Sequence, residues 1–442
     1  MNNLSYTGLT GKVVVPGQPE YEQARQEYNI AINKYPCAIV YCFNACDIAN
    51  AILWSRKQGV KLRIRSGRHN YEGYSTGNRK LVIDTTLMND IKVNTDDDTV
   101  DIQAGVRLGY LYERLYQCGY TFPGGTCPSV GISGLVLGGG IGLSTRYLGL
   151  TADSLLEAEM VDAEGNQLMV NDCCNPGLFW ALRGAGGGNF GVVTRYKFRL
   201  KNVDKITLIQ LRWDNDKSAR LEFLRVWQKW LLNLDRRISA FGGIYKLGAW
   251  MNSFFYGCPE EARQILGPLL EIPGITLENI EYVDFIDAVK TIGEIYPERE
   301  AFKATGRFVH RHFSQSELVK FIDIIDKAPA NNTNSSIRVY SLGGAVRNVE
   351  VNETAFFDRQ ANYIIAITSS WESKKEASLH KKWVTTGFDY IYTVTLGSYI
   401  NFPYNNLPNY EQAYYGAHVR RLQRIKKEYD PYNIFSFPQS IL

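Results

Sequence analysis

The chain has 442 residues, of which 45% are hydrophobic and 21% are charged, and its formal net charge is +4. This composition excludes a disordered chain and leaves enough apolar residues for a large core. The charge is nearly neutral for this length, so it gives no argument for a nucleic-acid partner. At about 150 residues per domain, the length favours two large domains or three smaller ones.

The N-terminal stretch has no basic region followed by an apolar segment, so we expect no secretory signal. No run approaches the roughly 18 uninterrupted apolar residues of a membrane-spanning helix. Eight cysteines are too few for a disulfide scaffold in a chain of this length. A cytoplasmic location is therefore expected. Cys42 and Cys46 have no further ligands nearby in the sequence, so no metal site is predicted.

Strands and helices alternate over the first 120 residues, which predicts an α/β arrangement there. Apolar runs bounded by turn residues predict strands at 37–43, 61–67, 81–86 and 99–106. Helical periodicity and end signals predict helices at 21–33, 45–59 and 110–120.

The middle of the chain differs in composition from the first 120 residues. Residues 123–149 form a glycine-dense loop region with few charges, and a second glycine-rich loop lies between a short helix at 178–184 and a strand that starts at 192. Beyond residue 200 the glycine clusters stop. Helices are predicted there at 218–234, 260–270 and 418–430, and strands at 239–247, 336–346 and 363–371. We therefore divide the chain into 1–200, 201–395 and a C-terminal segment, 396–442.

Gly186, Gly188 and Gly191 fit the spacing G-x-G-x-x-G, but their context is inverted. A dinucleotide-binding motif follows a strand and opens a helix, whereas this one follows a helix and opens a strand. The sequence thus argues against a nicotinamide site. Two glycine-rich loops still favour close approach of the backbone to a ligand, with tight turns alone as the alternative.

Two potential nucleophiles lie beside these loops. His69 occurs in RSGRHNYEGYS and Cys127 in GGTCPSVG, both rich in small residues. Each alone is more often structural than functional. Together with the glycine loops they form a candidate site.

Four segments, in this order, resemble the motifs of berberine-bridge-enzyme-like flavoproteins of the vanillyl-alcohol-oxidase superfamily, of the bacterial type. The segments are RSGRHNYEGYS, PGGTCPSVGISGLVLGGGIG, LFWALRGAGGGNFGVVT and YDPYNIFSFPQSI. The resemblance implies an α+β fold. Residues 1–200, completed by 396–442, would be a two-subdomain FAD-binding domain of the p-cresol methylhydroxylase (PCMH) type. Residues 201–395 would be a substrate domain with an antiparallel sheet covered by helices.

The resemblance also implies FAD held by two covalent bonds, from His69 to the 8α-methyl group and from Cys127 to C6 of the flavin. Arg68 departs from the family pattern, which often has glycine before the histidine. The other cofactor-binding residues implied are Arg65, Ser66, Gly67, Arg68, Asn70, Ser75, Pro128, Val130, Gly131, Gly134, Gly138, Gly142, Gly191, Val193 and Asn433.

Hydride removal from an alcohol carbon requires a base for the hydroxyl proton. LGSYINFPY resembles the family motif that supplies one, so Tyr399 is the candidate. An ordinary tyrosine, with a pKa of about 10, is a poor base at neutral pH, so its surroundings would have to lower this value. The alternative is that Tyr399 only packs or hydrogen-bonds.

The second domain offers candidate substrate residues. Asp358 stands where the family usually has histidine, and Arg359 is equally compatible with substrate binding and with a structural ion pair. His310 and His312 alternate and are predicted to share one face of a strand. Val130 is small at a position where the family resemblance links small residues to oxygen access, which favours an oxidase.

Three functions remain open from the sequence. The first is an oxidase of alcohols or sugars that reduces O₂ to H₂O₂, with a small-molecule substrate and no nucleic-acid or membrane partner. The second is an oxidase or dehydrogenase of a secondary metabolite such as an alkaloid, phenolic or polyketide. The third is a flavoprotein with a structural role and no turnover.

Overall fold

The computed structural model describes residues 5–442. The first four residues, part of the stretch assessed for a secretory signal, lie outside the described residues. The chain mixes helices with three main sheets, which confirms the α+β class. Among residues 5–442, no helix combines the length and the apolar character needed to cross a bilayer.

The first sheet is built from four short strands near the N-terminus. In spatial order they are Lys12–Val14, Ala38–Tyr41, Leu81–Asp84 and Leu62–Arg65. The last three are parallel. Helix Ala45–Gln58 covers them; the Asn44 side chain caps its start, and it ends at Gly59, whose φ is 63°.

The second sheet has five antiparallel strands. Their spatial order is Ile91–Asn94, Thr99–Gln103, Val192–Arg199, Leu155–Val161 and Gln167–Val170. The second glycine-rich loop runs from helix Pro176–Leu182 into strand Val192–Arg199. This order confirms the inverted context that argued against a nicotinamide motif.

The third sheet is the largest, with seven antiparallel strands. Their spatial order is Leu277–Asp284, Lys205–Trp213, Gly248–Phe255, Ile238–Tyr245, Ser335–Ser341, Tyr363–Trp371 and Ala301–Val309. Helices Ser218–Trp230, Gln315–Asp326 and Ala377–Val394 pack on one face. The shorter or peripheral helices of the described chain are Tyr21–Ala24, Leu108–Tyr116, Ile132–Leu137, Thr145–Leu148, Pro259–Leu270, Phe285–Gly293, Tyr410–Tyr415 and Val419–Tyr429.

Alternation along the strands gives the large sheet two different faces. On strand Ser335–Ser341, Ile337 and Val339 join the apolar core under the helices, while Arg338 and Tyr340 point to the other side. Successive side chains of a strand lie on opposite faces, so this pattern follows from the pleat. The second face is the wall of a cavity.

The C-terminal segment returns to the glycine-rich loops. Buried Lys426 donates to Asp430 at 2.6 Å and to the carbonyl oxygens of Asn189 and Phe435, both at 2.7 Å. The lysine therefore ties helix Val419–Tyr429 and the following turn to the loop before strand Val192–Arg199.

Two expected elements, and the expected placement of two histidines, differ from the structure. The helix expected at 21–33 ends at Ala24, because Tyr28 pairs through its backbone with Arg68 and Glu300 instead. The strand expected at 336–346 ends at Ser341, before the left-handed turn at 343–344.

The placement of His310 and His312 on one strand face was also wrong. The strand stops at Val309, so both histidines lie in the loop that follows it.

A buried ion cluster supports the end of the first sheet. Arg65 donates to Asp84 at 2.7 Å and to Glu27 at 3.0 Å, with all three side chains fully buried. Burial opposes the charge of Arg65, but Asp84 and Glu27 outweigh it and hold its pKa above the ordinary value. The cluster fixes the strand from which the loop at 66–75 departs.

We predict that Arg65→Met lowers the free energy of unfolding by about 3–5 kcal/mol, since it leaves buried Glu27 without its cation and Asp84 with only the longer contact to Arg68. Arg225→Met, which breaks an exposed pair with Glu222, is the control and should cost less than about 1 kcal/mol. Urea unfolding followed by circular dichroism measures both. Equal effects would contradict a structural role for the cluster.

Candidate active site

A long cavity runs between the two smaller sheets and the open face of the large one. It is lined by segments from every part of the chain. These are the loop at 66–75, residues 125–135, the second glycine-rich loop at 186–193, the inner face of the large sheet, residues 399–403 and residues 435–439.

The two predicted nucleophiles meet in this cavity on either side of one serine. His69 Nε2 lies 2.9 Å from Ser129 Oγ, and Cys127 Sγ lies 3.5 Å from the same oxygen. The His69 ring stacks on Tyr28 with centroids 4.0 Å apart, which fixes its plane. The imidazole of His69 and the thiol of Cys127 therefore face the same part of the cavity.

Both groups are uncharged at neutral pH. Burial, reinforced by Arg107, lowers the pKa of His69 to about 3. Burial also raises the pKa of the Cys127 thiol. The imidazole is thus a neutral base with a free lone pair, while the thiol must lose a proton before it can act as a nucleophile.

The backbones that carry these residues touch each other. A methyl group at Gly67 would lie 2.1 Å from the backbone nitrogen of Gly131, and one at Gly131 would lie 2.5 Å from that of Gly67. Only glycine permits this approach. The contact brings the His69 loop and the Cys127 loop to the same end of the cavity.

Five polar atoms along the cavity are buried and, within residues 5–442, have no hydrogen-bond partner. They are Arg63 Nε, Ser66 Oγ, Arg68 Nε and the hydroxyl groups of Tyr74 and Tyr196. Buried polar groups nearly always have partners, so these atoms call for a ligand that carries many polar groups along its length. FAD meets this requirement, and the residues present fit it.

Tyr399 forms part of the cavity wall and is almost fully buried. The backbone N–H of Gly140 and the side-chain amide of Asn401 both donate to its hydroxyl oxygen at 3.1 Å. Burial raises the pKa of Tyr399, and the two donors oppose this without outweighing it. Tyr399 is therefore a phenol at neutral pH.

Aromatic rings line the cavity toward the large sheet. Tyr71 stacks on Phe402 with centroids 5.3 Å apart, and Phe402 also contacts Tyr340. Phe241 and Tyr340 are cross-strand neighbours on the inner face. Such rings offer flat apolar surfaces to a cyclic substrate.

Most of the residues expected at a cofactor site are in the cavity wall. They are Ser66, Gly67, Arg68, His69, Asn70, Ser75, Cys127, Val130, Gly131, Gly134, Gly191, Val193 and Tyr399.

Other expected residues lie away from the cavity wall. Arg65 is enclosed in its ion cluster, Pro128 packs against Gly109 and Gly293, and Asn433 is an exposed turn residue with a φ of 49°. Phe435, Ser436, Phe437 and Gln439 of the same C-terminal motif line the cavity instead.

Gly138 and Gly142 lie outside the cavity wall and support it through close packing. A methyl group at Gly138 would lie 2.2 Å from Asn401 Oδ1, and one at Gly142 would lie 1.8 Å from the carbonyl oxygen of Gly124. Gly138 thus makes room for the amide that holds Tyr399, and Gly142 lets its loop pack on the loop segment that leads to Cys127.

The two substrate-domain candidates are also outside the cavity. Arg359 is fully buried and donates to both oxygens of Asp153, at 2.8 and 2.7 Å, so it forms the structural ion pair. Asp358 lies 3.0 Å from His310 Nε2, and burial raises the pKa of its carboxyl group. Neither side chain reaches a substrate in the cavity.

Several cavity residues were not identified from the sequence. Ser129, Tyr28 and Asn401 contact the predicted residues directly, and Glu300 and Arg338 are charged groups in the wall. Alternation around Ile337 and Val339 could have indicated the face on which Arg338 lies. The long-range packing of Tyr28 and Glu300 left no local signal.

Two family models match the chain. One, described as an FAD binding domain, matches residues 36–171, and the other, described as berberine and berberine like, matches residues 398–442.

Relatives match nearly the whole length. The FAD-linked oxidoreductase YgaK of Bacillus subtilis (strain 168) is 37% identical, with 99% of this chain and 98% of that protein covered. The carbohydrate oxidase of Microdochium nivale is 27% identical, with 99% and 94% covered.

Solved structures show the same fold. Physcomitrella patens BBE-like 1 superposes with a TM-score of 0.93 at 30% identity, over 98% of this chain and 97% of that one. A chitooligosaccharide oxidase superposes with a TM-score of 0.89 at 25% identity, over 98% and 97%.

We predict that Gly131→Ala lowers the thermal midpoint of unfolding, because its methyl group would overlap the loop at Gly67; overpacking costs about 1–3 kcal/mol. Gly177→Ala is the matched control, since its methyl group would meet only Ile425 Cγ1, at 4.0 Å, and Gly177 is not part of the cavity wall. Gly177 lies in helix Pro176–Leu182, so alanine should maintain or raise stability. If both variants unfold at the same temperature, the contact is not tight.

Proposed function

Because the chain belongs to the berberine-bridge-enzyme-like family of FAD-linked oxidoreductases, we propose that it is an oxidase with bicovalently attached FAD that acts on an alcohol or sugar hydroxyl. The observation that carries the proposal is the convergence of His69, Cys127 and Tyr399 on one cavity. Bound FAD supplies the hydride acceptor at N5, and O₂ then takes the electrons to give H₂O₂.

Three groups of the chain would attach the cofactor. The neutral imidazole of His69 is a nucleophile for the 8α position, and the Cys127 thiolate for C6. Ser129 lies within 3.5 Å of both side chains, so its hydroxyl group is placed to relay the proton that Cys127 loses to the imidazole of His69.

Tyr399 is the proposed base for the substrate hydroxyl. Gly140 and Asn401 give it two hydrogen-bond donors that stabilise a phenolate during proton transfer. The burial that raises the pKa of Tyr399 also keeps water away from the hydroxyl group that would exchange a proton with the substrate.

Sugars are the favoured substrate class. The aromatic rings of Tyr71, Tyr340 and Phe402 suit stacking on a sugar ring. Two similar proteins bear the names carbohydrate oxidase and chitooligosaccharide oxidase. Val130 lies in the cavity wall between Cys127 and Gly131, and its small size supports oxygen access and thus an oxidase rather than a dehydrogenase.

An anaerobic bleaching panel tests the proposal. Purified protein is mixed with sugars, primary alcohols, phenolics and alkaloids, and the flavin absorbance is followed before air is readmitted. Bleaching by sugars or alcohols, then recovery within seconds with formation of peroxide, is expected. Bleaching only by phenolics or alkaloids would favour a secondary-metabolite enzyme, and a reduced flavin stable for minutes in air would contradict an oxidase.

We predict that His69→Ala and Cys127→Ala each retain flavin through one remaining bond, and that the double variant releases it on denaturation. Intact-protein mass spectrometry and acid precipitation measure this. Cys258→Ala, which removes an exposed thiol, should behave as the wild type. Complete release of flavin from the wild type would contradict covalent attachment.

We predict that Tyr399→Phe lowers kcat/KM by about 10²–10⁴, the usual contribution of a positioned base. Because the pKa of Tyr399 is raised, the basic form grows with pH, so wild-type kcat/KM should rise with pH across the neutral and alkaline range. This rise should be absent in Tyr399→Phe.

Tyr429→Phe is the control, since its hydroxyl group bonds Asn175 far from the cavity wall. It should show the wild-type rate and pH profile. A Tyr399→Phe variant with wild-type kcat/KM would show that Tyr399 only packs.

A further inference from the structure

One cation of the cavity wall has neither an acidic partner nor a backbone carbonyl partner among residues 5–442. Arg338 lies on the inner face of the large sheet beside Tyr340, and its Nε donates to Ser336 Oγ at 3.0 Å. Within residues 5–442, its Nη groups make no hydrogen bond to the protein, and no carboxylate lies within 4.0 Å of the guanidinium.

Arg338 is half-buried, and the fully buried arginines differ from it because each has acidic or carbonyl partners. Arg65 and Arg359 form ion pairs with Asp84 and Asp153, and Arg146 donates to several backbone carbonyls. Removing a cation from bulk water without an anion is costly, so Arg338 is an exception that needs an explanation.

The groups around Arg338 keep it charged. Burial opposes its charge, but Tyr340, Tyr296, Glu300 and Tyr71 together hold its pKa above the ordinary value. Its guanidinium is therefore a permanent cation in a largely aromatic cavity.

Glu300 is the acidic residue of the cavity wall and the natural competitor for Arg338. Its Oε1 accepts from the Tyr28 hydroxyl at 3.4 Å, and its backbone N–H donates to the Tyr28 carbonyl. Glu300 is thus hydrogen-bonded to Tyr28, beside His69. The Nη groups of Arg338 remain available to a ligand.

The remaining cations of the wall are engaged elsewhere. Arg68 lies 3.3 Å from Asp84, and Arg63 donates to the carbonyl oxygens of Leu62 and Ser436. Within residues 5–442, Arg338 is therefore the wall cation whose Nη groups have neither a carboxylate nor a carbonyl partner.

We propose that Arg338 determines specificity by binding a carboxylate of the substrate, and that the substrate is an acidic sugar: a uronic acid or an oligosaccharide that ends in one. This inference rests on the proposed sugar oxidation. One planar guanidinium group can donate two parallel hydrogen bonds to the two oxygens of a carboxylate. A phosphate dianion would need more than one cation, with Glu300 nearby, and fits less well.

The test is a binding measurement with methyl β-D-glucuronide and methyl β-D-glucoside, which differ at C6 alone. The flavin is first reduced with dithionite in the absence of air, so it cannot accept a hydride and binding is measured without turnover. Titration of the flavin-loaded protein, by calorimetry or by the change in flavin absorbance, gives each Kd.

We predict that the wild type binds the glucuronide about 10- to 100-fold more tightly than the glucoside, as expected for a charge-assisted bidentate contact. Arg338→Met should abolish this preference and change the Kd of the glucoside less than about twofold. Arg338→Lys retains the charge without the fork and should retain only part of the preference. Arg225→Met, on the surface, should match the wild type.

Equal affinity of the wild type for the two ligands would overturn the inference. So would an equal loss of affinity for both in Arg338→Met, which would make Arg338 a structural residue. If Arg338→Met does not fold, Arg338→Lys decides, and an unchanged preference in that variant would also overturn the bidentate contact.

The two proposals fail separately. If no sugar bleaches the flavin but the glucuronide is preferred, the proposed sugar oxidation fails and the carboxylate site stands. If sugars bleach the flavin and neither ligand is preferred, sugar oxidation stands and the carboxylate site is wrong.

Discussion

The direct contact between the backbones at Gly67 and Gly131 is the constraint on which the site depends. It joins a loop of the first sheet to a loop that precedes helix Ile132–Leu137. No side chain separates them, so His69 and Cys127 reach the same serine from different loops. The ion cluster of Arg65 anchors one loop, and the packing of Pro128 on Gly109 anchors the other. The nucleophiles are thus positioned by rigid supports that do not themselves touch the cavity.

The large sheet lines the cavity with one face and supports the core with the other. Its helix-covered face is largely apolar, whereas its open face carries Arg338, Tyr340 and Phe241. A pleated strand separates these functions at every residue, so specificity can change without disturbing the core. This separation is consistent with a family in which one cofactor site serves different substrates.

The sequence predicted the class of fold, the family and the residues with local motifs. Strand 363–371 was predicted with its observed bounds, because it begins with the unbroken apolar run YIIAI and ends on Trp371. The expected helix at 21–33 failed because Tyr28 pairs with residues distant in sequence. Arg65 and Asn433 belong to motifs that line the cavity, but motif membership does not reveal which way a side chain points. Arg338 and Glu300 were not identified because their proposed importance depends on long-range contacts. Within residues 5–442 Arg338 lacks an acidic partner, and Glu300 binds the hydroxyl group of Tyr28.

The return of the C-terminal segment has a consequence for the order of assembly. Phe435 and Phe437 wall the same cavity as His69, and Lys426 secures them to the loop at 186–191. The whole of residues 201–395 leaves the ribosome before this wall does. His69 and Cys127 are therefore synthesised long before the wall that completes their cavity. We expect stable capture of the cofactor to be a late event in the maturation of the chain, after the large sheet has been made.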